Sequence, residues 1–310
     1  MSFEPSAFSY KIFYSNVANN QKMNKISVLG LGRMGTGIAL SLLRAGYAVR
    51  VWNRSKEKAT EVIAAGGMWA DNPSAAAENA DAVISMLADD IASQDVWLGS
   101  NGAMPVMKKE SFVIECSTIS LNHAKALSAA AEKRGLIYID CPVTGIPDAA
   151  KKGELTLLVG CSADHLEQCR TLLQSFSKAI LHFGNVGTGT AYKLIINLMG
   201  AVQIAALAEG ISMAEKMGLQ TETVIKAIEN SAAASPQVIR YARRMAEKTF
   251  LSDPAFTVGL RHKDADYAVT LAKAINHPAK LGEVAKDWFA LAKNEYNDKD
   301  EACVVNIMNT

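Results

Sequence analysis

A glycine triplet near the amino end constrains this chain more than any other feature. Gly30-Leu31-Gly32-Arg33-Met34-Gly35 follows the apolar run Ile26-Ser27-Val28-Leu29. It precedes a helical pattern over 36–44, in which Ile38, Leu42 and Leu43 share one side. Glycines at such offsets arise by chance in many chains. A strand before them and a helix after them, inside a unit of about 30 residues, is the context a dinucleotide-binding turn requires. There Gly30 permits the tight turn, Gly32 lets backbone approach a pyrophosphate, and Gly35 allows close helix–strand packing. The amino end of the helix stabilises the anion. Leu31, Arg33 and Met34 complete the turn and join the expected cofactor contacts.

The next strand, over 47–52, ends in Asn53-Arg54-Ser55, with Lys56 and Lys58 close by. A carboxylate at that end would hold the ribose hydroxyl of NAD. Here Arg54 can pair with and stack beside a 2′-phosphoadenosine, while Asn53 and Ser55 can hydrogen-bond the phosphate. No acidic residue stands between the end of that strand and Glu57. NADP is therefore the expected cofactor, with NAD as the alternative.

Further strands are expected at 82–87, 112–116, 137–140, 155–159 and 179–183, with helices between them. This alternation predicts an α/β unit with a Rossmann-type doubly wound parallel sheet. The pattern changes at Gly187. A long helix over 188–217, with Leu194, Leu198, Ile204 and Leu207 among its apolar positions, precedes helical patterns alone, at 222–230, 237–247, 262–275 and 281–293. The expected organisation is an NADP-binding domain over 23–186 and an all-α domain over 187–310, joined by the long helix. Residues 1–22 are rich in Ser, Asn and aromatics and lack both Arg and the apolar run of a signal peptide. They are expected to be a disordered extension, or the product of an upstream start codon.

Charge and cysteines narrow the partners. With 32 Lys+Arg against 31 Asp+Glu, the net charge is +1, which supplies no field for nucleic acid or acidic lipid. The longest low-charge stretch, 194–208, is interrupted by Asn197, Gly200 and Gln203. It falls short of the roughly 20 apolar residues of a bilayer span, so a buried helix is expected. Five widely spaced cysteines without a C-x-x-C pattern argue against disulfides and zinc and for a reducing, cytoplasmic compartment. The histidines lack metal-ligand spacing, and no metal is expected.

Within the long helix, Lys193 and Asn197 stand at i and i+4 on one face, among the apolar Leu194, Ile195, Ile196 and Leu198. A lysine desolvated there would have the lowered pKa that general acid/base work requires. Snorkelling to solvent is the commoner fate of such a lysine, and the helix pattern by itself favours it.

Motifs elsewhere alter that balance. Besides the glycine turn ending in Met34-Gly35, the chain carries Glu115-Cys116-Ser117-Thr118, Asp140-Cys141-Pro142-Val143-Thr144-Gly145, the stretch Gly187-Thr188-Gly189 running to Lys193 and Asn197, and Lys263-Asp264. In order and spacing these resemble the β-hydroxyacid dehydrogenases over residues 24 to about 300. That family includes 3-hydroxyisobutyrate dehydrogenase, tartronate semialdehyde reductase and glyoxylate/succinic semialdehyde reductase.

The resemblance implies a role for each matched residue. Lys193 corresponds to the lysine that gives a proton to the carbonyl oxygen in reduction and removes it in oxidation. Asn197 corresponds to the residue that orients that oxygen and the lysine. Thr144 and Gly145 match the segment holding the substrate carboxylate. Ser117 and Thr118 lie beside the nicotinamide, with Ser117 towards the substrate and Thr118 towards the cofactor. Leu87 and Ala88 pass the ribose, and Lys263 closes over the cofactor from the second domain. The family commonly has another glycine after Thr144-Gly145; Ile146 stands there, its N–H still able to bind an oxyanion and its side chain narrowing the pocket. The resemblance also implies a small carboxylate-bearing substrate and a homodimer or homotetramer. The alternatives are an imine reductase, which often has Asp or Tyr in place of Lys193, and an inactive cofactor-binding scaffold.

Overall fold

The computed structural model describes residues 23–309; the extension expected over 1–22 lies outside the described residues. Nine strands form one sheet: β1 (Lys25–Leu29), β2 (Ala48–Trp52), β3 (Met68–Trp69), β4 (Ala82–Ser85), β5 (Phe112–Glu115), β6 (Ile137–Asp140), β7 (Val143–Thr144), β8 (Leu155–Gly160) and β9 (Ser177–Gly184). They lie in the order β3-β2-β1-β4-β5-β6-β8-β7, with β9 paired to β8. The first six strands in that order are parallel. Because the chain winds from β1 one way and returns at β4 on the other side, a crevice opens beyond the carboxyl ends of β1 and β4. Buried Ile26, Val28, Val51, Ile84 and Ile114 fill one side of the sheet, and Leu29, Val83 and Val113 belong to the core on the other.

The sheet departs from the all-parallel expectation at one edge, where β8 runs antiparallel to both β6 and β7. Only Cys141-Pro142 separates β6 from β7, and the link 145–154 into β8 holds the short helix Pro147–Lys152. Links this short cannot carry the chain back for parallel pairing, which takes a dozen or more residues. β4 stops at Ser85 instead of running to 87, so Met86, Leu87 and Ala88 are free to form a loop over the crevice. The glycine-loop helix, Arg33–Arg44, begins three positions before the apolar periodicity does. After β2 the chain makes a tight turn of 3₁₀ helix, Lys56–Ala59, followed by the helix Thr60–Ala64.

After β9 the described structure is helical. The helix Thr188–Lys216 has 29 residues and a mean hydropathy of 1.7 over its most apolar window, so by length and composition alone it could cross a bilayer. The low-charge stretch read from sequence underestimated it. Its packing is that of a core helix: it lies against β8 and β9 at one end and against Pro236–Glu247, Val258–Ala274 and Lys280–Tyr296 further along. Leu194, Ile204, Ala208 and Ile211 are buried along it. A 3₁₀ segment, Glu301–Asn309, for which the sequence offered no periodic signal, plugs the helical core with Ala302, Cys303, Val304 and Val305.

One carboxylate ties this helix to the sheet. Asp140, the last residue of β6 and fully buried, accepts hydrogen bonds from the N–H groups of Gly187 (2.8 Å) and Thr190 (2.7 Å). Burial raises its pKa to about 6, against the pull of those two donors. An anion at a helix amino terminus satisfies donors that otherwise lack partners and interacts favourably with the helix dipole. Asp140→Ala leaves both buried N–H groups without an acceptor and should cost about 1–3 kcal/mol. Urea unfolding at neutral pH checks this; an unchanged midpoint and slope would remove Asp140 from its anchoring role.

Candidate active site

The glycine turn is built by close approach. Gly30 has φ +97°, and a Cβ there would stand 2.3 Å from the Met86 carbonyl oxygen. A Cβ on Gly35 would stand 1.9 Å from the Gly30 carbonyl oxygen, so the helix packs against the turn with no room for a side chain. At Gly32, the N-cap, no side chain caps the helix, and a Cβ would meet nothing within 4 Å. Open space thus faces the amino end of the helix, a cradle suited to a pyrophosphate. Beside it lies a cleft of about 440 Å³, whose lining includes Leu31, Gly32, Arg33, Lys58, Lys151 and Asp253. Arg33 reaches across to the helical domain, donating to the Asp253 carbonyl at 3.0 Å.

At the end of β2 the structure adds to one expectation. The amide of Asn53 is engaged within the turn: its Oδ1 accepts from the Leu31 N–H, and its Nδ2 donates to the Ser55 carbonyl, both at 2.9 Å. Asn53 braces the glycine loop, tying Leu31 to Ser55. Arg54 is exposed and Ser55 half-buried. Lys56 sits over the Trp69 ring, 5.6 Å from its centroid.

The loops after β4 and β5 are held together from below. Glu115, fully buried, accepts from Ser93 Oγ (2.7 Å), Trp97 Nε1 (2.9 Å) and the Ser117 N–H (2.9 Å). Ser117 Oγ in turn accepts from the Leu87 N–H at 2.7 Å, and Ser117 is almost wholly buried. Ser117, expected to face the substrate, therefore joins the two loops. From the helical domain, Lys263 Nζ donates to the carbonyls of Ala88 and Thr118, each at 2.7 Å. Three expected cofactor contacts from distant parts of the chain thus converge, and the Tyr267 hydroxyl, accepting from the Asp90 N–H at 3.2 Å, adds a second link between the same elements.

Lys193 is partly buried on the long helix, one turn past the Asp140 anchor. Burial lowers its pKa to about 8; Asp264 pulls the value up, and Arg261 and Lys263 push it down. Asn197, the next turn along, donates Nδ2 to Asp264 Oδ2 at 2.6 Å, and its carbonyl accepts from Arg261 Nη1 at 3.0 Å. Arg261 is itself buried and paired with Glu301 at 2.6 Å. Asp264 and Arg261 were not singled out as site residues by sequence; the Lys263-Asp264 motif and the i, i+3 spacing of Arg261 and Asp264 on one helix were the available signals. Thr144, on β7, is half-buried, and Gly145 and Ile146 are exposed, with Ile146 at 45%.

Comparison with known proteins agrees with this architecture. Residues 25–184 match the family described as NAD binding domain of 6-phosphogluconate dehydrogenase. Residues 187–308 match NAD-binding of NADP-dependent 3-hydroxyisobutyrate dehydrogenase. The chain belongs to the β-hydroxyacid dehydrogenase family. It is an NAD(P)-dependent hydroxyacid dehydrogenase, an oxidoreductase with a Rossmann-type domain followed by an all-helical one. The chain is 35% identical over 284 residues to the uncharacterised oxidoreductase YfjR of Bacillus subtilis, covering 91% of this chain and 98% of that one. It is 27% identical to glyoxylate/succinic semialdehyde reductase 2, chloroplastic, of Arabidopsis thaliana, over 91% of this chain and 79% of the relative. A 3-hydroxyisobutyrate dehydrogenase of Mycobacterium tuberculosis, solved with L-serine, superimposes with a TM-score of 0.82 at 28% identity, covering 93% and 100% of the two chains. A Streptomyces aurantiacus imine reductase shares the fold at 19% identity, with a TM-score of 0.60 over 93% of this chain and 100% of its own.

The contact at Gly35 gives a direct check on the cofactor cradle. Gly35→Ala forces its methyl against the Gly30 carbonyl and should weaken nicotinamide-cofactor binding by at least roughly tenfold, since the turn must open to admit it. Quenching of protein fluorescence by the reduced cofactor measures this; an unchanged Kd would show that the turn does not hold the cofactor.

Proposed function

We propose that this dehydrogenase uses NADP to interconvert a small hydroxyacid and its semialdehyde or keto acid, with Lys193 as general acid and base. The observation that carries the reading is a lysine with a lowered pKa, one helical turn from Asn197, on a helix anchored directly to the cofactor-binding sheet. The nicotinamide supplies or accepts the hydride when bound. In reduction, the Lys193 ammonium gives its proton to the carbonyl oxygen as charge develops there; in oxidation, the neutral amine takes the proton from the hydroxyl. Thr144, through its hydroxyl, and Gly145 and Ile146, through backbone N–H groups, hold the substrate carboxylate. The L-serine bound by the Mycobacterium relative, a carboxylate with a β-hydroxyl, supports that substrate class.

Arg54, assisted by Ser55, carries the preference for NADP, while Asn53 serves by bracing the turn. Gly30, Leu31, Gly32, Arg33, Met34 and Gly35 enclose the pyrophosphate; Leu87, Ala88, Thr118 and Lys263 flank the nicotinamide end. The domains divide into 23–186 for the cofactor and 187–310 for substrate and association. Exposed Ile195, Met199, Met213 and Met217 fall on one side of the long helix by its periodicity. An apolar stripe of that length supports a homodimer or homotetramer, and five unpaired, buried cysteines support a reducing, cytoplasmic compartment.

The substrate reading is tested by consumption of NADPH with glyoxylate, succinic semialdehyde, methylmalonate semialdehyde, tartronate semialdehyde and a cyclic imine. Turnover of at least one acid aldehyde is expected; turnover of the imine alone would reassign the chain to imine reduction. Lys193→Ala should lower kcat by roughly a hundredfold or more, with little effect on cofactor affinity. Because reduction needs the protonated lysine, its rate should fall as pH rises through about 8, and oxidation should rise through the same value. A flat profile across that range contradicts the role. Arg54→Ala should weaken NADPH tenfold or so while leaving NADH nearly unaffected, as loss of one charge-assisted phosphate contact implies. A native preference for NADH would contradict the phosphate assignment.

A further inference from the structure

Asp264 is the carboxylate that contacts Asn197, and no sequence reading gave it a role. It is 1% exposed, on the helix Val258–Ala274 that crosses the long helix. Its Oδ2 accepts from Asn197 Nδ2 at 2.6 Å. Its Oδ1 lies 3.0 Å from Lys263 Nζ but, unaligned for a hydrogen bond, keeps open acceptor capacity in a buried position. Lys263 directs its hydrogen bonds to Ala88 and Thr118 instead.

Two consequences follow from the chemistry of these groups. An ionised carboxylate only accepts hydrogen bonds, so the Asn197 amide must turn Nδ2 towards Asp264. The carbonyl Oδ1 of Asn197 and its second amide hydrogen are then left for the cleft, where Oδ1 is the complement of an ammonium one turn earlier on the same helix. The charges around Lys193 are also unequal in sign. Arg261 and Lys263, from the same helix as Asp264, oppose its ammonium form, and Asp264 alone of the three favours it. Arg261 is partly balanced by Glu301 from the carboxy-terminal 3₁₀ segment, and Asp140 of β6 is engaged at the start of the helix.

We propose that Asp264 is a positioning residue for proton transfer: it fixes the orientation of the Asn197 amide and, held there, supplies a negative charge one helical turn from Lys193. It acts through those two side chains and does not touch the reacting atoms. The proposal rests on the reading of Lys193 as the proton donor, and the two are separable by experiment.

The test is the pH dependence of kcat and kcat/KM for aldehyde reduction in the full-length enzyme, with NADPH affinity measured in parallel. Asp264→Asn keeps the volume and can still accept from Asn197 through its own amide oxygen, so it removes the charge alone. Its alkaline limb should move down by about one pH unit, the scale of an opposite charge at close range, with NADPH affinity unchanged within about twofold. Asp264→Ala removes both contributions and should also lower kcat by roughly tenfold, a fraction of what a positioned acid contributes. Asp264→Glu should restore the limb and part of kcat. An unmoved limb in Asp264→Asn, or an unaltered kcat in Asp264→Ala, overturns the proposal. Should Asp264→Asn fail to fold, Asp264→Glu carries the test: a limb at the native position with lowered kcat supports it, and native kcat overturns it. A limb that persists in the residual activity of Lys193→Ala instead overturns the reading of Lys193, whatever Asp264 does.

Discussion

The pair of hydrogen bonds from Gly187 and Thr190 to Asp140 fixes the geometry on which the rest of the site depends. Strand β6 ends at that carboxylate, and the long helix begins there. A helix is stiff over several turns, so anchoring its first turn sets Lys193 and Asn197 relative to the sheet whose strand β1 leads into the cofactor turn. The same helix then becomes the central element of the helical domain, burying Ile204, Ala208 and Ile211. One rod thus belongs to both halves of the molecule, and the crevice between them inherits its position from a buried ion–dipole contact.

The second constraint is electrostatic. The formal net charge of +1 conceals a concentration of charge around one helix crossing. Arg261, Lys263, Asp264 and Glu301 converge on the segment holding Lys193 and Asn197, and three of these four are buried. Burial is the main cause of the lowered proton affinity of Lys193, and in that low-dielectric setting the neighbouring charges adjust it, Asp264 upwards and Arg261 and Lys263 downwards. Lys263 links this cluster to the loops after β4 and β5 through two backbone carbonyls, so the domains meet at charged contacts as well as along the shared helix.

Much of this was legible in the sequence. The glycine turn, the alternation of strands and helices and the change at Gly187 are local, periodic signals, and they led to the observed α/β architecture followed by helices. What escaped has a common physical reason. The bracing part of Asn53 was hidden, because its amide closes on Leu31, a contact that exists only once β1 and β2 pair. Ser117 likewise bonds Leu87 across neighbouring strands. The antiparallel edge depends on link lengths, and the buried 3₁₀ segment around Cys303 on the space left by the helices; neither has a period to detect. Asp264 stood in plain view beside Lys263, yet only the crossing of two helices reveals that it meets Asn197.

The central claim is that the fold, by anchoring and desolvating one helix, places an amine of lowered proton affinity at the cofactor crevice. Its most direct test is an NMR titration of the Lys193 side chain in protein labelled with 13C at lysine Cε, the resonance being assigned by its loss in Lys193→Arg. The account predicts a midpoint near 8. A midpoint near the ordinary lysine value of about 10.4 would contradict it.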